Sequence, residues 1–131
     1  MKGFYVYCIR PHIADAKTIK VKAEGFWGPI RMILFKDIEV IVSEIDLSKF
    51  NEKTVRDKLQ ADVKWAEKNV TYHHEVVSQA YKIGAVIPMK FGTMFKTRKS
   101  LEAMLRGHYE KFNKLFSWLQ NKQEWGVKVY L

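Results

Sequence analysis

Val86-Ile-Pro-Met-Lys-Phe-Gly-Thr-Met-Phe95 is the stretch on which the reading of this chain turns. Its apolar run from Val86 to Met89 has the length and composition of a short buried strand. Proline cannot donate to a ladder, so Pro88 predicts an edge position or a bulge. Phe91-Gly92-Thr93 then interrupts the run. Gly92 supplies a backbone conformation closed to other residues, and Phe91 and Phe95 are large apolar anchors on either side. The segment lies between the two longest helix-like stretches, where a small α+β domain places its central crossing.

Working outward, Asn51 caps a short helix running to about Leu59, and Asp62 caps a longer one running to about Lys82. The stripe of the longer helix is Ala66, Val70, His73 or His74, Val77, and Ala80 or Tyr81. Gly84 suits the position just past its C-terminus. On the other side, Thr97 caps a helix whose stripe is Leu101, Met104, Leu105, His108, Phe112, Leu115, Phe116 and Leu119. Arg98 and Lys99 in its first turn oppose the helix dipole at a small local cost, which marks either an anion site or nothing functional.

Nearer the N-terminus, Gly3 to Ile9 is aromatic and β-branched and predicts a first strand. Residues 11–29, punctuated by Pro11, Gly25, Gly28 and Pro29, predict a loop with a short element around Thr18 to Lys22. Ile30 to Phe35 and Ile38 to Ser43 flank Lys36-Asp37 at the spacing of a tight hairpin, although the turn lacks glycine. Trp125 to Leu131 predicts a closing strand.

This order predicts an α+β fold: a mixed or antiparallel sheet of about five strands with the two long helices on one face. The strands do not alternate apolar with polar. Phe4, Val6 and Cys8 oppose Tyr5, Tyr7 and Ile9, and Met32 and Leu34 oppose Ile33 and Phe35. A sheet with a bare outer face would alternate. The second face is therefore expected to be covered by a long loop, another subunit or a further domain.

Length and composition bound the function. The 131 residues, 47% hydrophobic, suffice for one domain with its own core. No uncharged run is long enough to span a bilayer, and the N-terminal apolar run ends too soon for a signal peptide. A single cysteine, Cys8, excludes an internal disulfide, fits a reducing cytoplasm and serves as a small core hydrophobe. The net charge of +9 favours anionic partners. It is unevenly spread: residues 52–76 hold five basic and five acidic groups, whereas residues 96–122 hold seven basic and two acidic. Arg98, Lys99, Arg106, Lys111 and Lys114 thus form a candidate basic face.

Chemistry of other kinds is absent from the pattern. The histidines at 12, 73, 74 and 108 lack metal-ligand spacing, and no nucleophile elbow, phosphate loop or dinucleotide fingerprint occurs. No catalytic residue, metal or cofactor is expected. An RNA-binding sheet is the alternative, because Lys2-Gly3-Phe4-Tyr5-Val6-Tyr7 echoes a basic-glycine-aromatic run. Tyr5 replaces the small residue of that run and the strand is the wrong one, which disfavours nucleic acid. The alternative requires Tyr5 or Tyr7 to be exposed.

The stretch 86–95, Thr97 with Leu101, and the closing Glu124-Trp-Gly-Val-Lys-Val-Tyr130 together resemble the gas vesicle GvpF/GvpL family. His74-Glu75-Val76-Val77 and Tyr5-Val6-Tyr7 fit the same pattern, in order over nearly the whole chain. The resemblance implies a non-enzymatic accessory protein of gas vesicle assembly, located in the cytoplasm and at the vesicle. Its implied partners are the hydrophobic shell protein and other gas vesicle accessory proteins, with no membrane partner and with room for self-association. It implies two domains in the family, the first a modified ferredoxin-like α+β unit. Residues 1–131 then correspond to that N-terminal domain, and the family's C-terminal domain is absent from this sequence. On matched positions, Pro88, Phe91, Gly92, Thr93, Phe95, Trp125, Gly126 and Lys128 are the candidate partner-binding residues. Apolar anchors there would shield the shell protein's adhesive face, neighbouring basic residues would meet its acidic groups, and an open strand edge would pair with a partner's strand.

Overall fold

In a computed structural model the described residues are 2–12, 28–82 and 84–122. The first strand, β1 (Lys2–Pro11), is followed by a hairpin, β2 (Ile30–Phe35) and β3 (Ile38–Asp46). Helices α1 (Glu52–Ala61) and α2 (Val63–Tyr81) precede two short strands, β4 (Ile87–Pro88) and β5 (Met94–Phe95), and helices α3 (Arg98–Gly107) and α4 (Tyr109–Lys122) complete the order. The sheet runs β2-β3-β1, with β4 and β5 sharing the remaining side of β1, and every pairing is antiparallel. The expected α+β class and five-strand sheet are therefore observed.

Local chemistry accounts for the element ends. Lys36 takes the positive φ, 52°, that the two-residue turn demands where no glycine is present. The Asn51 side chain accepts from the Thr54 N–H at 3.1 Å, and Asp62 accepts from the Trp65 N–H at 3.0 Å. Thr97 accepts from the Ser100 N–H at 3.0 Å, closing a reciprocal cap. Each such cap satisfies a donor that the helix itself leaves orphaned and contributes about 1 kcal/mol. The expected helix from Thr97 to Leu119 is broken in two. Gly107 ends α3, His108 leaves helical geometry at φ −117° and ψ 12°, and α4 begins at Tyr109. The apolar stripe runs through the break because Leu101, Leu105, Phe112, Phe116 and Leu119 are all buried on one side.

A register shift between Val6 and Cys8 makes Tyr7 the extra residue of a bulge in β1. The bulge transposes the expected faces: Cys8 joins Tyr5 and Tyr7, and Ile9 joins Val6. Two separate cores result. On one face Tyr5, Tyr7, Cys8, Ile41 and Ile45 pack against Tyr72, Val76, Val77 and Ala80 of α2. On the other, Val6, Ile9, Val40 and Val42 pack against Leu101 and Leu105 of α3 and Phe112, Phe116 and Leu119 of α4.

This corrects the expected layering. The long helices cover opposite faces of the sheet, not one. The doubly apolar strands do indicate a covered second face, but the cover is the chain's own α3 and α4. The expected stripe of α2 holds at His73, Val77 and Ala80 and is widened by Asn69, Tyr72 and Val76. Asn69, Tyr72, His73, Val76, Val77 and Ala80 are buried, while Ala66 and Val70 are half-buried. The element expected around Thr18 to Lys22 and the strand from Trp125 to Leu131 lie outside the described residues.

Candidate functional site

Segment 86–95 is one edge strand broken by a loop. Ile9 pairs with Ile87 and Cys8 with Pro88, and beyond the loop Tyr5 pairs with Met94 and Phe4 with Phe95. The Met89 N–H donates to the Tyr7 carbonyl at 3.0 Å, and the Val6 N–H donates to the Thr93 carbonyl at 2.9 Å. Lys90, Phe91 and Gly92 bulge out between these bonds. Antiparallel alternation turns the nitrogen of Pro88 away from β1, so its missing donor costs the sheet nothing. The segment is thus an edge, and the central crossing belongs to β1 and β3.

The loop is held from below. Gly92, at φ 92°, donates its N–H to the Tyr5 hydroxyl oxygen at 3.0 Å. That hydroxyl lies 2.8 Å from Nδ1 of His73, and His73 Nε2 lies 2.9 Å from the Met89 carbonyl. A carbonyl only accepts, so Nε2 carries the hydrogen. Burial holds the His73 pKa down at about 4 despite the Met89 bond, so the ring is neutral at pH 7. Nδ1 then accepts, and the Tyr5 O–H donates to it. The proton of Tyr5 is correspondingly hard to remove, because burial would strand the phenolate. The Phe91 ring completes the cradle, with centroids 6.0 Å from Tyr5, 5.8 Å from His73 and 6.2 Å from Trp65. Thr93 closes the turn through its hydroxyl, which donates to the Lys90 carbonyl at 2.7 Å.

Phe95 lies between two clefts. One, of about 500 Å³, is lined by Leu47, Asn51, Arg56, Met94, Phe95 and Lys96. The other, of about 270 Å³, is lined by Met89, Thr93, Phe95, Met104, His108 and Phe112, with Lys111 at its margin. Among the described residues no strand pairs with the outer side of β5. Of the expected partner-binding residues, Phe91, Gly92, Thr93 and Phe95 are half-buried on this surface, and Pro88 is buried. Trp125, Gly126 and Lys128 lie outside the described residues.

The basic positions divide. Arg98 and Lys99 sit in the first turn of α3, where Arg98 bonds Glu102 at 3.3 Å. Arg106, Lys111 and Lys114 are exposed and gather at the α3–α4 bend. Lys36, from the β2–β3 turn, joins them, and spacing within the helices gave no sign of it. Tyr5 and His73 were equally hidden as site residues; the one signal was an aromatic-rich first strand beside a helix with two histidines.

Tyr5 and Tyr7 are fully buried, and the Tyr7 hydroxyl is 2.8 Å from that of Ser43. Their rings cannot stack on bases, so the RNA-sheet alternative loses the platform it requires. Among the described residues, no three His, Cys, Asp or Glu side chains gather as metal ligands, and no helix is long and apolar enough to cross a membrane.

The family model described as gas vesicle synthesis protein GvpL/GvpF matches residues 3–131. Gas vesicle protein L of a Streptomyces species is 25% identical over 128 residues, covering 96% of this chain and 47% of that protein. Gas vesicle protein F1 of Halobacterium salinarum is 24% identical over 122 residues, covering 89% and 51%. The chain therefore spans about half the length of these relatives. The crystal structure of the gas vesicle protein GvpF from an Anabaena species superposes with a TM-score of 0.64 at 20% identity, covering 91% of this chain and 44% of that one. That likeness shows the fold.

Proposed function

This chain belongs to the GvpL/GvpF family of gas vesicle synthesis proteins, and from that premise we propose that it is a non-enzymatic assembly factor that binds the hydrophobic shell protein of the vesicle. Residues 1–131 act in this reading as one domain working in the cytoplasm at the growing vesicle. The observation that carries the reading is the position of Phe95. It is a half-buried aromatic on a strand with no described partner on its outer side, and it stands between two clefts. An extended segment of the shell protein pairs with Met94–Phe95 through its main chain, and its alternate side chains enter the clefts. The Tyr5–His73 support keeps the loop before β5 in place, so little ordering entropy is spent on binding.

Co-precipitation of the shell subunit at low salt tests this. The wild-type chain retains the subunit, Phe95→Leu keeps binding, and Phe95→Ser weakens it about tenfold, the loss of one buried aromatic anchor. Circular dichroism confirms that both variants are folded. No retention by the wild type, or equal retention by Phe95→Ser, sinks the reading.

A further inference from the structure

We propose that the α3–α4 bend and the Lys36 turn form a docking groove for an acidic peptide segment of a partner protein. The segment's apolar residue seats beside Phe95, and its carboxylates meet Lys111, Lys114, Arg106 and Lys36.

Two clefts meet at this place. The first, of about 720 Å³, is lined by Lys36, Arg106, Lys111 and Lys114, with Glu110 as the one carboxylate in its wall. The second is the apolar cleft of Met89, Phe95, Met104 and Phe112, and Lys111 lines both. A continuous surface therefore runs from an apolar seat to a cluster of cations.

Among the described residues two cations of this cluster, Lys36 and Arg106, contact rings, and none contacts a carboxylate. Arg31 pairs with Glu44, Arg98 with Glu102 and Arg10 with Glu39, but Lys36, Arg106, Lys111 and Lys114 have no ion-pair partner among the described residues. Four like charges around one cleft repel one another, and an anionic occupant relieves that repulsion. A chain carrying carboxylates at intervals neutralises them better than a single small anion.

The aromatic rings of the groove choose between classes of polyanion. Lys36 Nζ sits 4.5 Å from the centroid of the Tyr109 ring, and the Arg106 guanidinium sits 5.9 Å from that of Phe35. Tyr109 is further tied by its hydroxyl to Asp37. These ring faces are covered by the protein's own cations, so they give single-stranded nucleic acid no stacking platform. An apolar seat next to the cations serves a peptide and has no use for a phosphate backbone. The inference does not require the shell protein to be the partner, so it can stand where the reading above falls, and the reverse.

Fluorescence anisotropy with the full chain tests it. The probe is a short labelled peptide with leucines at one end and a run of glutamates at the other. The peptide binds at low salt, and replacing its glutamates by glutamines, or its leucines by serines, weakens binding about tenfold or more. Lys111→Glu weakens it about tenfold or more, while Lys64→Glu, the same charge change on α2 across the sheet, stays within about twofold. The proposal is overturned by equal losses in the two lysine variants, by indifference to the leucines, or by no binding at low salt. Tighter binding of a single-stranded oligonucleotide of equal charge, weakened by Lys111→Glu, overturns it in favour of nucleic acid.

Discussion

The Tyr5 hydroxyl, on the central strand, lies 2.8 Å from Nδ1 of His73 on α2. One hydrogen bond thus ties the sheet to its covering helix and, through the Gly92 N–H and the Met89 carbonyl, fixes both ends of the edge loop. Tyr5→Phe keeps the ring and removes the hydroxyl, leaving the Gly92 N–H and His73 Nδ1 without their partner. Leaving buried polar groups unsatisfied costs about 1–3 kcal/mol. The expected result is a lower urea midpoint at unchanged slope, with amide exchange accelerated at Gly92 before the rest of the sheet.

His73 makes stability depend on pH. Its pKa is about 4 in the fold against 6.5 as the reference value, chiefly through burial. The unfolded chain therefore takes up the proton first as pH falls. The contribution is complete above about pH 6.5, declines between 6.5 and 4, and is lost below 4; at 1.36 kcal/mol per unit it amounts to about 3 kcal/mol. Urea midpoints measured across this window should fall with pH in the wild type and stay nearly level in His73→Gln. A parallel decline in both proteins assigns the effect to other groups.

Two glycines should respond differently to alanine. At Gly92 a Cβ meets nothing nearer than Val55 at 3.9 Å, so Gly92→Ala is opposed only by its φ of 92°, a cost of about 1–2 kcal/mol. At Gly3 the Cβ would stand 2.8 Å from the Phe95 carbonyl oxygen and from Leu47. Backbone cannot yield as a side-chain tip does. Gly3→Ala is therefore expected to lower the melting temperature further than Gly92→Ala and to loosen β5 from β1. Equal shifts would refute that ranking.

Cys8 is fully buried, and burial pushes its thiol up to about 12. A thiol reagent attacks the thiolate, so the native chain should be inert at pH 8 and react at a rate set by opening of the fold. Addition of urea to the transition midpoint should raise the rate steeply. Rapid modification without denaturant would contradict the burial of β1.

The elements most open to sequence reading were those governed by neighbouring residues. Asn51, Asp62 and Thr97 announce their helices through side chains that reach only three residues onward, and Lys36-Asp37 marks the hairpin by strand spacing alone. What depends on distant partners was hidden. Doubly apolar strands say that both sheet faces are covered but not that α3 and α4 do the covering. The transposition of Cys8 and Ile9 arises from a bulge, which leaves no mark on composition. Gly107 is the residue at which the helix breaks, and the apolar stripe that continues past it hides the break from pattern reading. The same limit applies to the site. The aromatic anchors Phe91 and Phe95 are visible as residue types, whereas the support from Tyr5 and His73 joins positions 68 residues apart.

Pro88 occupies the outward-facing slot of β4, where an incoming strand would look for an N–H. It finds none there, and the loop at 90–92 denies it a continuous template beyond. Among the described residues, this edge of the sheet therefore offers an incoming strand only the two-residue seat at Met94–Phe95, and the longer open rim is that of β2 on the opposite side.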